Sequence, residues 1–193
     1  MSDLISHGLK LHLVGEHSDL LARRLGIHST PLAESDGAIF MVSATSGIVR
    51  ADSQVWVEAR ELYIPSVVVI TDLTAENETD FEDMALIAGK ILDPVVTPYL
   101  VLHLDDGSPA ALIDLATQMI HDHSSGSLQI RESEPEHQEV IAEFRDEYLE
   151  ALEAAGDDAF ENALIFPALP WIESNDLGLS EIAQFLNQIP ITR

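Results

Sequence analysis

Ala38-Ile39-Phe40-Met41-Val42 and, further on, Val67-Val68-Val69-Ile70 are two uncharged aliphatic runs, and between them Val55, Ala59 and Leu62 recur at helical spacing. A short run apolar on both faces predicts a strand covered on both sides, and strand, helix, strand in that order predicts a crossover unit with the two strands parallel. The same pattern extends outward. Leu11 to Val14 and Leu100 to Leu104 read as further strands, and two more helices are expected from Met84, Ile87, Ala88 and Ile91 and from Leu112, Leu115, Ala116 and Met119. The fold class that follows is α/β: a three-layer, mainly parallel sheet with helices on both faces.

The character changes after Ile120. His121 to Gly126 is a polar, Ser-rich turn region, and Ser127 to Arg131 alternates like a short exposed strand. Ser133 and Glu136 have capping-box spacing ahead of a long helix whose stripe is Val140, Phe144, Tyr148 and Leu152, with Gly156 placed to stop it. From Glu132 to Glu161 there are 12 acidic residues and one basic residue, Arg145. Like charges four apart destabilise a helix, so this one is expected to pack its apolar stripe inward. Ala163 to Phe166 reads as a strand, and Ser180 as the cap of a last helix carrying Ile182, Phe185, Leu186 and Ile189. The expected organisation is a core of residues 1–92 and 162–193 interrupted by an acidic α+β insert, residues 93–161.

Composition sets limits on function. The chain has 193 residues, no cysteine, and 34 Asp and Glu against nine Lys and Arg, a formal net charge of −25. Thiol catalysis, disulfides and Cys-ligated metal are excluded. Lys10 and Lys90 are the only lysines. Nucleic-acid affinity rests on cations that displace counterions from phosphates, so direct nucleic-acid binding is not expected, nor is attraction to an anionic membrane. The start, Met1 to His17, has no basic segment followed by an apolar run and is expected not to be a signal peptide, and no stretch is long and apolar enough to span a bilayer. A cytoplasmic location fits these features.

The stretch Asp36-Gly37-Ala38-Ile39-Phe40-Met41-Val42-Ser43-Ala44-Thr45-Ser46-Gly47-Ile48 resembles the strand and turn that follow the second switch in translational GTPases of the elongation factor G type. Without a gap, Ser53-Gln54-Val55-Trp56-Val57-Glu58-Ala59 looks like that family's Trp-bearing helix, and Ile64-Pro65-Ser66-Val67-Val68-Val69-Ile70 like its next strand. Val95 to Leu104 and Glu139 to Ala155 are similar to the start and the long acidic helix of the family's extra subdomain, and Leu164 to Pro190 to the last strand and helix of its G domain. The resemblance implies a P-loop-GTPase-like sheet, an extra subdomain of the kind associated with the ribosomal stalk, and a chain truncated before the family's later domains.

Against that family this sequence is degenerate. A phosphate loop needs G-x-x-x-x-G-K-[ST], so that backbone amides and a Lys hold the phosphates and a hydroxyl holds magnesium. No such string occurs. Where the resemblance places N-K-x-D stands Thr71-Asp72-Leu73-Thr74, with Asp72 in place of the Lys and Thr74 in place of the guanine-reading Asp. The family's S-A turn falls near Trp171-Ile172-Glu173 and is lost. Glu16-His17-Ser18-Asp19-Leu20 can be laid on the second switch, which retains His17 and Asp19 and puts Leu13 at the magnesium-linked position. Alternatively, Leu11 to Gly15 is the first strand, with the phosphate loop and both switches deleted. Under either alignment His17 reads as a surface histidine rather than a hydrolytic one.

Two further constellations carry imidazole beside carboxylate, His121-Asp122-His123 and His103-Leu104-Asp105-Asp106, which suit a transition metal. Neither has the spacing of a metalloprotease helix, and Asp105-Asp106-Gly107 reads better as a turn. Trp56 is expected in the core. The sequence therefore predicts a degenerate, elongation factor G-like domain that neither binds nor hydrolyses GTP, with no catalytic, cofactor or metal residue, no cofactor, and an unknown protein partner, ribosome-associated if the resemblance extends so far. The alternatives are a GTP-binding protein or hydrolase completed by a partner chain, a metal-dependent hydrolase using the histidines, and an acidic module for a basic protein.

Overall fold

The computed structural model describes residues 4–76, 79–123 and 128–191. In chain order its elements are β1 (Leu11–Val14), α1 (Ser18–Leu25), β2 (Gly37–Ser43), α2 (Arg50–Glu61), β3 (Ser66–Thr71), α3 (Phe81–Ile91), β4 (Tyr99–His103), β5 (Pro109–Asp114), β6 (Met119–Asp122), β7 (Gln129–Glu132), α4 (Pro135–Val140), α5 (Ala142–Ala155), β8 (Ala168–Pro170) and α6 (Leu179–Leu186). The first sheet has the order β1-β2-β3-β8 and every neighbouring pair is parallel. The second, β4-β5-β6-β7, is antiparallel.

β2 and β3 are parallel neighbours, Ala38 opposite Ser66, and every residue of both is buried, as their aliphatic runs require. Asp36 sets the start of β2. It is buried, its carboxylate accepts the Lys10 N–H at 2.9 Å, and its own N–H donates to the Lys10 carbonyl at 2.7 Å. Pro65 stands just before β3, where its missing N–H costs nothing, and its carbonyl accepts the Ala38 N–H.

Several expected elements differ. Leu112, Leu115, Ala116 and Met119 do not form a helix. Asp114 ends β5 by accepting the N–H groups of Ala116 and Thr117, Gln118 adopts a left-handed φ of 61°, and the chain returns as β6. Leu112 and Ile113 are adjacent and both buried because this sheet is covered on both faces, a pattern that apolar spacing alone does not separate from a helix. Tyr99, Val101 and Leu112 join the main core. Leu100, Ile113, Leu115 and Ile120 form a smaller one with Ile141.

The acidic helix is broken at Ile141, which links α4 to α5 and is the buried residue there. The Val140, Phe144, Tyr148 and Leu152 stripe is consequently not a core face: Val140 and Phe144 are exposed, and Tyr148 and Leu152 are half-buried. Glu134 rather than Ser133 caps α4, with Pro135 in its first turn, while Gly156 ends α5 at φ 84°. In α3 the buried side is Phe81, Met84, Ala85 and Ala88, leaving Ile87 and Ile91 exposed. Ala163 to Phe166 form turn and coil, and the strand lies at Ala168–Pro170. The cap of α6 is Gly178, not Ser180. Its φ is 92°, and a Cβ there would collide with the Pro170 carbonyl oxygen, so only glycine fits.

Trp56 ties the connections between the two sheets to the parallel sheet. Its ring meets Phe40 of β2 and Phe166 edge-on, at centroid distances of 4.8 and 5.0 Å, and its Nε1–H donates to Asp93 Oδ2 at 2.8 Å. Arg60, one turn on, donates to the same carboxylate and to the Ala163 carbonyl, and its guanidinium lies 4.2 Å from the Phe166 ring centre. Trp56→Ala is expected to cost about 3–5 kcal/mol, the range for a fully buried large aromatic. Phe144→Ala, at an exposed position, should stay within about 0.5 kcal/mol of the parent. Denaturant unfolding of both variants checks the contrast.

Candidate functional site

Parallel sheets place ligands at the carboxyl ends of their strands, and here the segments after β1, β3 and β8 meet there around a cavity of about 310 Å³. It is lined by His17, by Thr71 to Thr74 and by Trp171 to Ser174. Only three residues, Gly15-Glu16-His17, separate β1 from α1. Gly15 has φ 102° and passes so near Met41 that a Cβ would collide with the Met41 carbonyl oxygen. His17 caps α1 in a left-handed conformation, φ 66°, and directs Nε2 to within 3.4 Å of Asp72 Oδ1 and 4.0 Å of Glu16 Oε1. Asp72 is also left-handed, φ 57°, which short polar side chains tolerate. Ser46, after β2, donates its hydroxyl to Glu16 Oε2 at 2.8 Å, and Thr71 Oγ1 donates to Asp72 Oδ2 at 3.4 Å.

The structure thus gathers four of the five degenerate motif positions, His17, Thr71, Asp72 and Thr74, in one crevice. Asp19 is exposed in the first turn of α1, where its charge favours the helix dipole and does not line the cavity. Among the described residues that line it there is no Lys or Arg. Gly89-Lys90, a Gly-Lys pair in the sequence, lies in the last turn of α3 beside a different groove and is followed by Ile91, so it is no phosphate loop. The sequence does not reveal Glu16 as a neighbour of Asp72, because the two are distant along the chain and meet only through strand pairing.

A second cluster is buried. His121 and His123 stand two apart at the end of β6, so both face α6, and both are buried with Glu181. His121 Nδ1–H donates to Glu181 Oε1 at 2.6 Å, fixing that tautomer, and Ser180 donates to Oε2 at 2.8 Å. His123 Nε2 is 3.9 Å from Oε1, too far for a hydrogen bond. Burial opposes ionisation of Glu181, but the groups around it outweigh burial and hold its carboxyl down at about 2. Asp122, between the two histidines, alternates to the other face of the strand. His103 is apart from the cluster as well, at the exposed end of β4. Asp106 accepts the N–H and hydroxyl of Ser108, and Gly107 has φ 82°, as the turn reading requires.

A larger cavity, about 720 Å³, lies between the second sheet, α5 and α6. Asp114, Glu153, Asp157, Asp158 and Glu161 are on its wall, with Tyr99 and Tyr148. Burial, then the Asp114 charge, pushes the Tyr148 phenol up to about 12, so it remains a neutral donor.

No family model matches the chain. Over 208 aligned residues, 95% of this chain, it is 26% identical to a protein of Mycobacterium tuberculosis strain CDC 1551 named elongation factor G-like protein, and equally to that of strain H37Rv. The chain is similar to elongation factor G-like proteins. It spans 28% of the length of those relatives. A crystal structure of a Thermus thermophilus protein superposes on 82% of this chain and 27% of its own with a TM-score of 0.68 at 23% identity, a likeness of fold. Among the described residues no helix is long and apolar enough to cross a membrane.

The Glu181 cluster makes a checkable statement about acid stability. A carboxyl held below its ordinary 4.5 contributes stability that is present above that value and is lost as pH falls towards 2. The contribution is on the order of 3 kcal/mol from the size of the shift. Glu181→Gln should lower unfolding free energy at neutral pH and flatten its dependence between about pH 4.5 and 2, as measured by urea unfolding at a series of pH values.

Proposed function

We propose that this chain is a degenerate, elongation factor G-like G domain that does not hold guanine nucleotide and works through protein contacts in translation. The observation that carries this reading is the loop between β1 and α1. A phosphate loop is a strand–loop–helix unit, and β1, Gly15-Glu16-His17 and α1 have that order. This favours the alignment in which Leu11 to Gly15 is the first strand and the phosphate loop and both switches are deleted, three residues remaining between strand and helix. The three-residue loop carries a carboxylate, Glu16, and no lysine. Across the cavity stand the carboxylates of Asp72 and Glu173, so an entering triphosphate meets negative charge and, among the described residues lining the cavity, no Lys or Arg.

Within this reading the architecture is the three-layer, P-loop-GTPase-like core of residues 1–92 and 162–193, with residues 93–161 as the acidic insert, in a cytoplasmic protein. The large acidic cavity beside α5 supports a partner presenting basic residues, of the kind found among ribosomal proteins. Long acidic side chains around a half-open cleft favour Lys and Arg by complementarity and steer their approach. Charge of this sign opposes direct contact with nucleic acid.

Losing several charge-assisted phosphate and base contacts, worth roughly 1.5–3 kcal/mol each, removes a G-domain affinity. Titration with labelled GTP and GDP plus magnesium, to millimolar nucleotide, should give no saturable signal, and a micromolar dissociation constant would overturn the reading. Co-sedimentation with ribosomes should occur at low salt, fall as salt rises, and weaken in a Glu153→Lys, Asp157→Lys double variant.

A further inference from the structure

The crevice that disfavours phosphate has the donor set for a cation. We propose that Glu16, His17 and Asp72 bind a first-row divalent transition metal of the zinc or cobalt class, with at least one coordination position open to the 310 Å³ cavity. The proposal stands on the geometry of these three side chains and does not depend on the absence of nucleotide binding.

One donor atom from each residue lies within 4.8 Å of the other two. The 3.4 Å between His17 Nε2 and Asp72 Oδ1 matches the edge of a tetrahedron, which is about 3.4 Å when metal–ligand distances are about 2.1 Å. Glu16 Oε1, 4.0 Å from the same nitrogen, is on an exposed side chain and closes the remaining gap by a small torsional change. One imidazole and two carboxylates suit zinc, cobalt or manganese better than magnesium, which prefers oxygen ligands and water in octahedral geometry. Three protein ligands leave the fourth position of a tetrahedral ion to water or to a ligand from the cavity.

The second oxygen of each carboxylate is already oriented. Ser46 donates to Glu16 Oε2 and Thr71 to Asp72 Oδ2, so Oε1 and Oδ1 are the atoms turned towards His17. Such outer hydrogen bonds fix ligand direction in metal sites. His17 is held at the cap of α1, and its backbone fixes the ring's approach. The N-terminal dipole of α1 opposes a cation weakly, whereas Glu173 on the cavity wall and the net charge of −25 favour one. A divalent metal here would cancel the charge of the two carboxylates, and its open position is where a small oxyanion or a partner's carboxylate would coordinate.

The test is a titration of chelator-treated full chain with Co²⁺ and with Zn²⁺, read by calorimetry, by visible absorption of bound cobalt, and by quenching of tryptophan fluorescence, since Trp171 lines the cavity. Saturation at one metal per chain is expected, with magnesium in excess unable to compete. His17→Asn and Asp72→Asn keep a residue that tolerates the left-handed backbone, so the fold is retained while a ligand is lost. Each should weaken binding by at least about tenfold, Ser46→Ala by a smaller factor, and His103→Asn not at all. Affinity should fall as pH is lowered, because protons compete for the imidazole. No saturable binding by the parent chain, binding unchanged in both Asn variants, or displacement by equimolar magnesium would each overturn the proposal.

Discussion

The shared carboxylate of Asp93 is the constraint on which the architecture depends. Asp93 follows α3, where the chain leaves the parallel sheet, and Ala163 to Phe166 lie where it returns. Trp56 and Arg60, both on α2, hold these two points at once, through Asp93 Oδ2 on one side and through the Ala163 carbonyl and Phe166 ring on the other. The Val96 N–H donates to the Phe166 carbonyl and the Val96 carbonyl accepts from Ala168, which continues the parallel sheet's hydrogen bonding across the same gap. The second sheet with α4 and α5, the whole segment between Asp93 and Ala163, is thereby closed off at its base. Closing so long a segment costs entropy once, and little more for each added residue, so one well-made clamp suffices.

With its base fixed, the second sheet lies against α6, and the buried Glu181 meets His121 there. A buried carboxylate is tolerated only when hydrogen bonds replace its hydration, and His121 and Ser180 provide them. The contact gives direction as well as energy, because a ring donating at 2.6 Å fixes where β6 sits on the helix. Apolar packing of Tyr99 and Val101 alone would permit sliding. His121 thereby has a structural role against α6, although its spacing from His123 on the strand first suggests ligands.

At the carboxyl ends of the parallel strands lies a site whose chemistry is set by one short loop. The three-residue connection between β1 and α1 brings His17 over Asp72. Glu16 and Asp72 then define the local potential, with no Lys or Arg among the described residues of the cavity wall to offset it. Elsewhere the excess acid is carried by α5 and the large cavity beside it, where the phenol of Tyr148 remains protonated.

The sequence by itself determined the parallel pair β2 and β3, the helix between them, the Asp36 and Pro65 boundaries, and the missing phosphate-loop string. Each is a local property: a fully apolar run has no solvent face to present, and a missing glycine or lysine is missing in any fold. Only the tertiary structure decided that Leu112 to Met119 are strands and a turn, because a strand covered on both faces and a helix share apolar spacing. It also decided that Ile141, not Phe144, faces inward, since the break between α4 and α5 rotates the stripe that a continuous helix would have buried. The pairings of Glu16 with Asp72 and of His121 with Glu181 were beyond sequence reading for the same physical reason. Carboxylates and imidazoles acquire their roles from neighbours within a few ångströms, and chain folding, not chain order, supplies those neighbours.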